Sequence, residues 1–481
     1  MGARHRDSSA RTSGTGKEEA LGKIDRRDFV VRAGRWAGAA AIAPSLTGLA
    51  ACAESPSAPS SGKLAGSRQN GNGYGPLRRA GPELALPDGF SYAVLSVECR
   101  PMSDGTLTPR AHDGMGLFPM SDDVVRLVRN HEDRDLPGLA MPLVSPDLAY
   151  DPQGGGGTTT LEVRLEADGR PTLLRDFVSL GGTIVNCAGG TTAWRSWLSC
   201  EETTEGRRDG GWSVPHGYVF EVPADADGPV QPQPLRDMGR FTHEAVAVDP
   251  GTGFVYETED YSSRAGFYRF RPHTPGVLAD GGALEMLAVR GDPQVDLRAS
   301  QSTGMWREVE WVPIERPDPP EAEESPTTVW REGFEAGGAR FSRLEGCWYG
   351  DQSIYFHATH GGDAQLGQVW RYVPAEEAMV LVFESPSVQV LDSPDNITVS
   401  PRGGILICED NRDAHLRGLS PSGEIFPFAR NLLNRREFAG ACFSPDGRTL
   451  FFNLQGDTDF TGPGDLSYTF AVWGPWERGA L

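Results

Sequence analysis

Polar and acidic residues recur at both ends of short hairpin-like segments along this chain. Three copies of the pattern are well formed: Glu244 to Asp260, Asp395 to Asp410 and Glu437 to Gln455. Three looser copies run over residues 113–132, 187–202 and 345–360. Each copy indicates two strands joined by a tight turn, which brings its two ends back to the same place. Carboxylates gathered in this way need cations to offset their mutual repulsion.

These polar ends supply the candidate metal ligands, because one Ca²⁺ takes six to eight oxygens and several hairpins must converge to provide them. The predicted ligands are Glu132, Cys187, Glu201, Glu244, Glu259, Glu345, Asp395 and Glu409. Cys187 stands where the other copies carry an acid, and a thiolate among carboxylates suits iron better than zinc. A further buried thiol is the alternative interpretation of Cys187.

The other cysteines predict no metal site. None of the seven forms a CxxC pair, which disfavours a zinc ribbon. Four lie inside apolar strand-like segments and are expected to be buried free thiols: Cys200, Cys347, Cys408 and Cys442.

Two uncharged or basic side chains near the acids are candidates for contact with a substrate anion. Arg343 precedes Glu345 by two positions, so both should lie on one strand face, and a guanidinium matches phosphate oxygens as a fork. A plain ion pair with Glu345 is the alternative. Asn186 could donate to an oxyanion or cap a turn. His131 and His243 each precede an acid, and strand alternation predicts that only the acid faces the metals.

Composition and periodicity favour an all-β fold. The chain has 60 Gly and 37 Pro in 481 residues, and no segment shows sustained helical periodicity. Six copies of one hairpin with variable outer loops predict a six-bladed β-propeller with loop insertions, and a β-sandwich is the alternative.

Charge limits the classes of partner. The net charge is −21, and the basic residues 1–51 leave a charge near −25 for the remainder. Such a surface repels nucleic acid and anionic lipid.

The N-terminal segment carries targeting signals and is kept apart from the fold. Residues 25–30, DRRDFV, form a twin-arginine signature, and a short apolar run ends in LAA before Cys52. This predicts a lipoprotein signal peptide over 1–51, with Cys52 as a lipid anchor and the only link to a membrane. A cleavage site that happens to adjoin a cysteine is the alternative. Residues 52–83 are rich in Ser, Gly and Pro and predict a flexible tether.

Several ordered blocks resemble the PhoX family of calcium-dependent bacterial alkaline phosphatases. They include NHE at 130–132, NCAGG at 186–190, WLSCEE at 197–202, GRFTHE at 239–244, FSRLEGCWY at 341–349, SPDN at 393–396, ICED at 407–410 and EFAGACFSP at 437–445. The resemblance extends to VWGPW at 472–476 and identifies residues 84–481 as a PhoX-like propeller domain.

The resemblance implies an exported, extracytoplasmic enzyme that hydrolyses small phosphomonoesters at a cluster of Fe³⁺ and Ca²⁺. It implies that Cys187 binds iron, that Glu244, Glu345 and the Asp395–Glu409 hairpin bind metal, and that Arg343 holds phosphate. We expect a monomer. Two alternatives stay open: a calcium-dependent propeller hydrolase acting on lactones or phosphodiesters, and a binding lipoprotein without catalysis.

Overall fold

The computed structural model describes residues 73–481, which contain 26 strands and one α-helix. In chain order the first strands are β1 Leu77–Arg79, β2 Leu84–Pro87, β3 Ser91–Val97, β4 His112–Pro119, β5 Val124–His131, β6 Gly156–Leu165, β7 Pro171–Thr183, β8 Asn186–Thr191, β9 Ser196–Glu201, β10 Val219–Pro223, β11 His243–Val248, β12 Val255–Glu259 and β13 Phe267–Pro272. The remainder are β14 Gly282–Val289, β15 Trp306–Pro313, β16 Leu344–Gly350, β17 Ser353–Ala358, β18 Gln368–Val373, β19 Ala378–Glu384, β20 Pro394–Val399, β21 Ile405–Glu409, β22 His415–Leu419, β23 Ile425–Asn431, β24 Phe438–Phe443, β25 Thr449–Leu454 and β26 Tyr468–Trp473.

All strand pairs in these sheets are antiparallel, and most join neighbours in sequence. The sheet orders are β4-β5-β6-β7, β10-β9-β8, β24-β25-β26-β3 and β1-β2-β23-β22-β21-β20. A nine-stranded sheet joins β11 to β15 with β19 to β16, because β15 pairs with β19. The predicted all-β, propeller-type fold is confirmed.

Six strands lie side by side around a common axis. Each is the first strand of one predicted hairpin: β4, β8, β11, β16, β20 and β24. Each contacts the next in this order, and β24 returns to β4, so the six form a closed ring. The strands β11 to β15 and β16 to β19 form one sheet instead of two separate blades, so the count of six blades stays a prediction.

Small residues let these strands approach one another. A Cβ atom on Gly114 would lie 2.5 Å from the Ala188 Cα atom, and one on Gly346 would lie 2.7 Å from the Ile397 nitrogen. Real Cβ atoms do not come so close to backbone, so glycine is needed at both positions.

The hydrophobic core lies between neighbouring sheets. The two strand sets of the nine-stranded sheet, β11 to β15 and β16 to β19, also pack on each other, and there Phe267 stacks on Phe356 with ring centroids 4.1 Å apart. Such packing leaves the polar ends of the strands at one end of the axis.

The N-terminal strands close the fold. β3 pairs with β26 and completes the C-terminal sheet, while β2 pairs with β23. Tyr74 packs edge-on against Phe90, Phe428 and Trp476, and its hydroxyl donates to the Leu481 carbonyl oxygen at 2.8 Å.

These contacts move the predicted domain boundary. Residues 73–83, predicted as part of the tether, belong to the folded domain because Tyr74 and β1 pack against it. The predicted signal peptide over 1–51, Cys52 and the rest of the tether lie outside the described residues.

Helical structure is confined to connections. The helix α1, Thr328–Glu335, follows a Pro- and Glu-rich segment at residues 313–327 and packs Val329 and Trp330 against the sheet. Short 3₁₀ turns are Arg236–Met238, Leu278–Asp280, Pro320–Glu323, Pro374–Glu376 and Trp476–Arg478. Within residues 73–481, no helix has the length and apolar character needed to cross a bilayer.

Candidate metal centre

Nine side chains converge where the six first strands begin, and we call them the acidic ring. They are Asp113, Glu132, Cys187, Glu202, Glu244, Glu345, Asp395, Asp410 and Glu437. They form four overlapping groups of three, and within each group the possible ligand atoms lie within 4.8 Å of one another. Neighbouring groups share Cys187, Glu244 or Asp395, so the groups form a continuous chain of donors.

A β-bulge aims each ring residue of a first strand. The strand register shifts at the same place in all six: after His112, Asn186, His243, Leu344, Pro394 and Ala439. In five of them the residue just after this position is a ring member, namely Asp113, Cys187, Glu244, Glu345 or Asp395. Bulges re-aim side chains next to functional sites, and here they turn successive donors toward one axis.

The sixth strand departs from this pattern. Gly440 takes the bulged position with φ of 59°, and a Cβ atom there would lie 2.3 Å from the Asp113 carbonyl oxygen. The acid of this segment is Glu437, which precedes the strand and joins Asp395 and Asp410.

The residues that follow the second strands form the other half of the site. The backbone N–H of Glu202 donates to the Val185 carbonyl oxygen at 2.9 Å, and that of Asp410 donates to Ser393 at 2.8 Å. Equivalent bonds join Glu132 to Ala111, Asp260 to Thr242, Thr359 to Arg343 and Gln455 to Glu437. One hydrogen bond thus closes the mouth of every hairpin and fixes its last side chain beside the ring.

The structure corrects three predicted ligands by one residue. Glu201, Glu259 and Glu409 are each the last residue of a strand and pair directly with Asn186, His243 and Pro394. Successive strand residues face opposite ways, so these three acids point into their own sheets, and Glu202, Asp260 and Asp410 take the inward positions.

The three displaced acids share a structural role. Glu201 accepts hydrogen bonds from the Gly217 N–H at 2.8 Å and from His216 at 2.7 Å. Glu259 accepts from the Gly266 N–H at 3.0 Å and from the Tyr268 hydroxyl. Glu409 accepts from the Asp392 and His415 N–H groups and from Arg417. Each carboxylate therefore holds a loop, and none of the three belongs to a group with metal-binding geometry in the described part of the chain.

Asn186 faces the same way as Glu201. Its Nδ2 donates to the Ser199 hydroxyl at 2.9 Å, and its Oδ1 accepts from the Thr183 hydroxyl at 2.7 Å. Both polar groups of the amide bond to neighbouring hydroxyls, so the structure does not support the predicted contact of Asn186 with a substrate oxyanion.

The two HE pairs behave as strand alternation predicts. Glu132 and Glu244 belong to the ring, while His131 bonds to the Arg110 carbonyl oxygen and to Thr159. His243 stacks on Phe241 inside the sheet. Neither imidazole reaches the ring.

Two arginines lie over the ring. Arg343 donates from Nη2 to Asp260 Oδ2 at 3.0 Å and lies 2.7 Å from Glu345 Oε1. The backbone of Arg343 is in the left-handed region, with φ of 48°. Arg134 bridges Glu132 and Glu202 with Nη2. Arg343 was predicted here, whereas Arg134 was not.

The electrostatics of the acidic ring call for cations. Burial, with the neighbouring acids adding to it, raises the pKa values of Asp113, Glu244 and Glu345 well above their usual range. Burial and the charge of Asp410 raise the pKa of Asp395 to about 8. A cation at these oxygens favours the ionised form and reverses the shifts.

The donor set fits calcium and iron. Buried Oδ1 of Asp113 and Oε2 of Glu244 have no hydrogen-bond partner, although buried oxygens are normally paired. Many carboxylate oxygens suit Ca²⁺, and one thiol among them suits iron. Burial raises the pKa of the Cys187 thiol, and nearby Asp113 and Glu244 raise it further, so a cation is needed to stabilise its thiolate.

The remaining cysteines match their prediction. Cys200, Cys347, Cys408 and Cys442 are buried and free, and Cys99 is exposed. Among these described thiols only Cys187 belongs to a group with metal-binding geometry.

Five ring or mouth residues were absent from the predicted ligand set: Asp113, Arg134, Glu202, Asp410 and Glu437. Asp113, Glu202, Asp410 and Glu437 are ends of the recurring segments, so the pattern contained them. Glu202 and Asp410 are the second acids of EE and ED pairs, and only the register of the strand decides between the two members.

Comparison with known proteins assigns this geometry to a family. The model of the alkaline phosphatase PhoX family matches residues 72–457. The chain belongs to this family. The match begins at residue 72, close to Tyr74, where the folded domain of this PhoX family member starts. No curated protein matches the sequence.

A solved structure of another PhoX protein shares the fold. PhoX from Pseudomonas fluorescens, in complex with vanadate, a transition-state analogue, superposes with a TM-score of 0.62 at 17% identity. The match covers 84% of this chain and 98% of that one. A gluconolactonase from Xanthomonas campestris is less similar, with a TM-score of 0.38, 13% identity and coverage of 83% and 99%.

Proposed function

We propose that this PhoX family member is a metal-dependent phosphatase that hydrolyses phosphomonoesters. The observation that carries the proposal is the acidic ring, in which Asp113 and Glu244 present buried oxygens that have no hydrogen-bond partner. A ring of this kind without cations would repel a phosphate ester, and with cations it would attract one.

The residues proposed to hold Ca²⁺ and Fe³⁺ are Asp113, Glu132, Cys187, Glu202, Glu244, Glu345, Asp395, Asp410 and Glu437. Bound cations supply positive charge against the phosphoryl group. Cys187 is the proposed iron ligand, since it is the soft donor of the set.

Arg343 is the proposed phosphate-binding residue. The Arg343 side chain is 25% exposed and therefore accessible to a ligand, and Asp260 accepts hydrogen bonds from its Nε at 3.1 Å and from its Nη2 at 3.0 Å. Donors fixed before substrate arrives stabilise the charge that develops on the phosphoryl oxygens. Asp260 thereby orients the Arg343 guanidinium.

We further propose that the chain acts outside the cytoplasm. The support is the twin-arginine signature over 25–30 together with the Cys52 lipobox. We also propose that the enzyme acts as a monomer on small phosphomonoesters.

Hydrolysis of p-nitrophenyl phosphate by purified, metal-loaded protein tests the activity. We expect turnover that a chelator abolishes and that added calcium restores. Elemental analysis of protein purified without chelators tests the metals, with iron and calcium both expected. Absence of turnover from mildly acidic to strongly alkaline pH would sink the proposal.

A further inference from the structure

A second arginine lies at the mouth of the ring. Across residues 73–481, Arg134 and Arg343 are the two arginines that form ion pairs with members of the acidic ring. Arg134 bridges Glu132 and Glu202, which come from neighbouring sheets. Its side chain is 44% exposed, against 25% for Arg343, so both side chains are partly accessible to solvent.

Arginines that serve the fold look different in this protein. Arg129 is fully buried and donates to Thr159 and Thr469. Arg240 is almost fully buried and donates to the carbonyl oxygens of His216 and Thr204. Such side chains use their donors on the protein. Arg134 contacts two acids that are themselves candidate metal ligands, through one nitrogen, Nη2.

The backbone around Arg134 is held firmly. Its N–H donates to the Thr458 carbonyl oxygen at 2.9 Å. The flanking Asp133 and Asp135 both bind the Arg110 guanidinium, which lies 3.8 Å over the Phe460 ring. The Arg134 side chain therefore extends from a fixed loop, as that of Arg343 extends from a fixed backbone position.

The ring partners of the two arginines are both close to Glu244. Arg134 pairs with Glu202, and Arg343 pairs with Glu345. Possible ligand atoms of Glu202 and of Glu345 each lie within 4.8 Å of one on Glu244. Cations bound by Glu132 and Glu202 would satisfy the same oxygens that Arg134 now pairs with, which leaves the guanidinium donors available to an oxyanion.

We propose that Arg134 is a second phosphate-contacting residue, which with Arg343 forms a pair of guanidinium groups around the phosphoryl oxygens. This inference rests on the proposed phosphatase function. It assigns Arg134 a contact with the phosphoryl group of a phosphomonoester and with inorganic phosphate as product.

The test is the binding of inorganic phosphate to metal-loaded protein, measured by calorimetry and as product inhibition. Arg134→Ala and Arg134→Lys are compared with wild type and with Arg78→Ala, which removes an exposed ion pair with Asp88. We expect Arg134→Ala to weaken phosphate binding about tenfold to about a hundredfold. Arg134→Lys should recover part of this loss because it keeps the charge but not the fork. Arg78→Ala should change nothing.

Metal content separates phosphate contact from support of the cage. Unchanged calcium and iron in a variant that binds phosphate weakly supports the proposal. Unchanged phosphate binding overturns it. Loss of metal from both Arg134→Ala and Arg134→Lys also overturns it, because Arg134 would then act through the cage. Wild-type protein that binds phosphate through Arg134 but turns over no ester would refute the proposed function and leave this contact standing.

Discussion

The Sγ atom of Cys187 lies 3.2 Å from Oε1 of Glu244, although 57 residues separate them. Both occupy the bulged position of a first strand, and those strands, β8 and β11, are neighbours in the ring. One local distortion, repeated in adjacent sheets, therefore places a thiol against a carboxylate.

Replacing Cys187 by Ser should remove iron while leaving the fold intact, because a hydroxyl is a harder and less acidic donor. Elemental analysis and the visible absorption of the purified protein measure the loss. The control is Cys442→Ser, which alters a buried thiol in the hydrophobic core outside the ring. Iron retained at the wild-type level in Cys187→Ser would exclude Cys187 as a ligand.

Removing the metals should make stability depend on pH in a definite direction. Asp395 has a pKa of about 8 in the folded chain, against about 4 for an unfolded Asp. Below pH 4 both states bind the proton, and as pH rises toward 8 only the folded state must keep it. The unfolding free energy of chelated protein should thus fall with rising pH, by at most about 1.4 kcal/mol per unit from this group.

Thermal unfolding of chelated and calcium-loaded protein between pH 5 and 8 measures this effect. The loaded protein should show a much flatter profile, because cations stabilise the ionised carboxylates. Asp395→Asn should flatten the profile of the chelated protein. A chelated protein that gains stability across this range would contradict the electrostatic account.

Arg343 should affect catalysis more than stability. Arg343→Ala removes the fork beside Glu345 and is expected to lower kcat/KM about a hundredfold. Arg343→Lys should lower kcat/KM only about tenfold, since lysine retains the charge without the planar fork. Steady-state kinetics with p-nitrophenyl phosphate provide the measurement, and Arg290→Ala, at an exposed ion pair with Glu308, is the control. Equal activity in all three variants would remove Arg343 from the site.

Substitutions at adjacent acids should have different effects, because one acid of each pair supports the fold and the other belongs to the ring. Glu201→Gln weakens the carboxylate that holds Gly217 and His216, and should lower stability by about 1–3 kcal/mol with metals retained. Glu202→Gln should lower metal content with a smaller loss of stability. Glu409→Gln and Asp410→Asn form a second matched pair. The reverse assignment, with metals lost in Glu201→Gln alone, would show that the register is wrong.

Tyr74 should mark the true start of the domain. Its hydroxyl bonds to the carbonyl oxygens of Trp476 and Leu481, so Tyr74→Phe should cost about 1 kcal/mol and Tyr74→Ala about 2–3 kcal/mol. Denaturant unfolding measures both losses. The control is Arg79→Ala on the exposed edge strand β1, which should leave stability nearly unchanged. Wild-type stability in Tyr74→Ala would show that residues 73–83 are part of the tether and not of the folded domain.

The sequence alone determined the types of side chain that gather at the site and the class of fold. Acids recurring at both ends of hairpins predicted the metal centre, and Cys187, Glu132, Glu244, Glu345 and Asp395 do lie together. Repeated strands with tight turns predicted the all-β fold. These inferences succeed because turn chemistry and strand alternation act over a few residues.

Only the tertiary structure decided which member of each acid pair faces the axis. Glu201 and Glu202 are chemically alike, and a shift of one residue exchanges the face on which each lies. The bulge beside Asn186 and the pairing of Asn186 with Glu201 set that register. Arg134 likewise reaches Glu202 only because two sheets lie side by side. Contacts between separate sheets depend on how the ring closes, and local sequence carries no record of that closure.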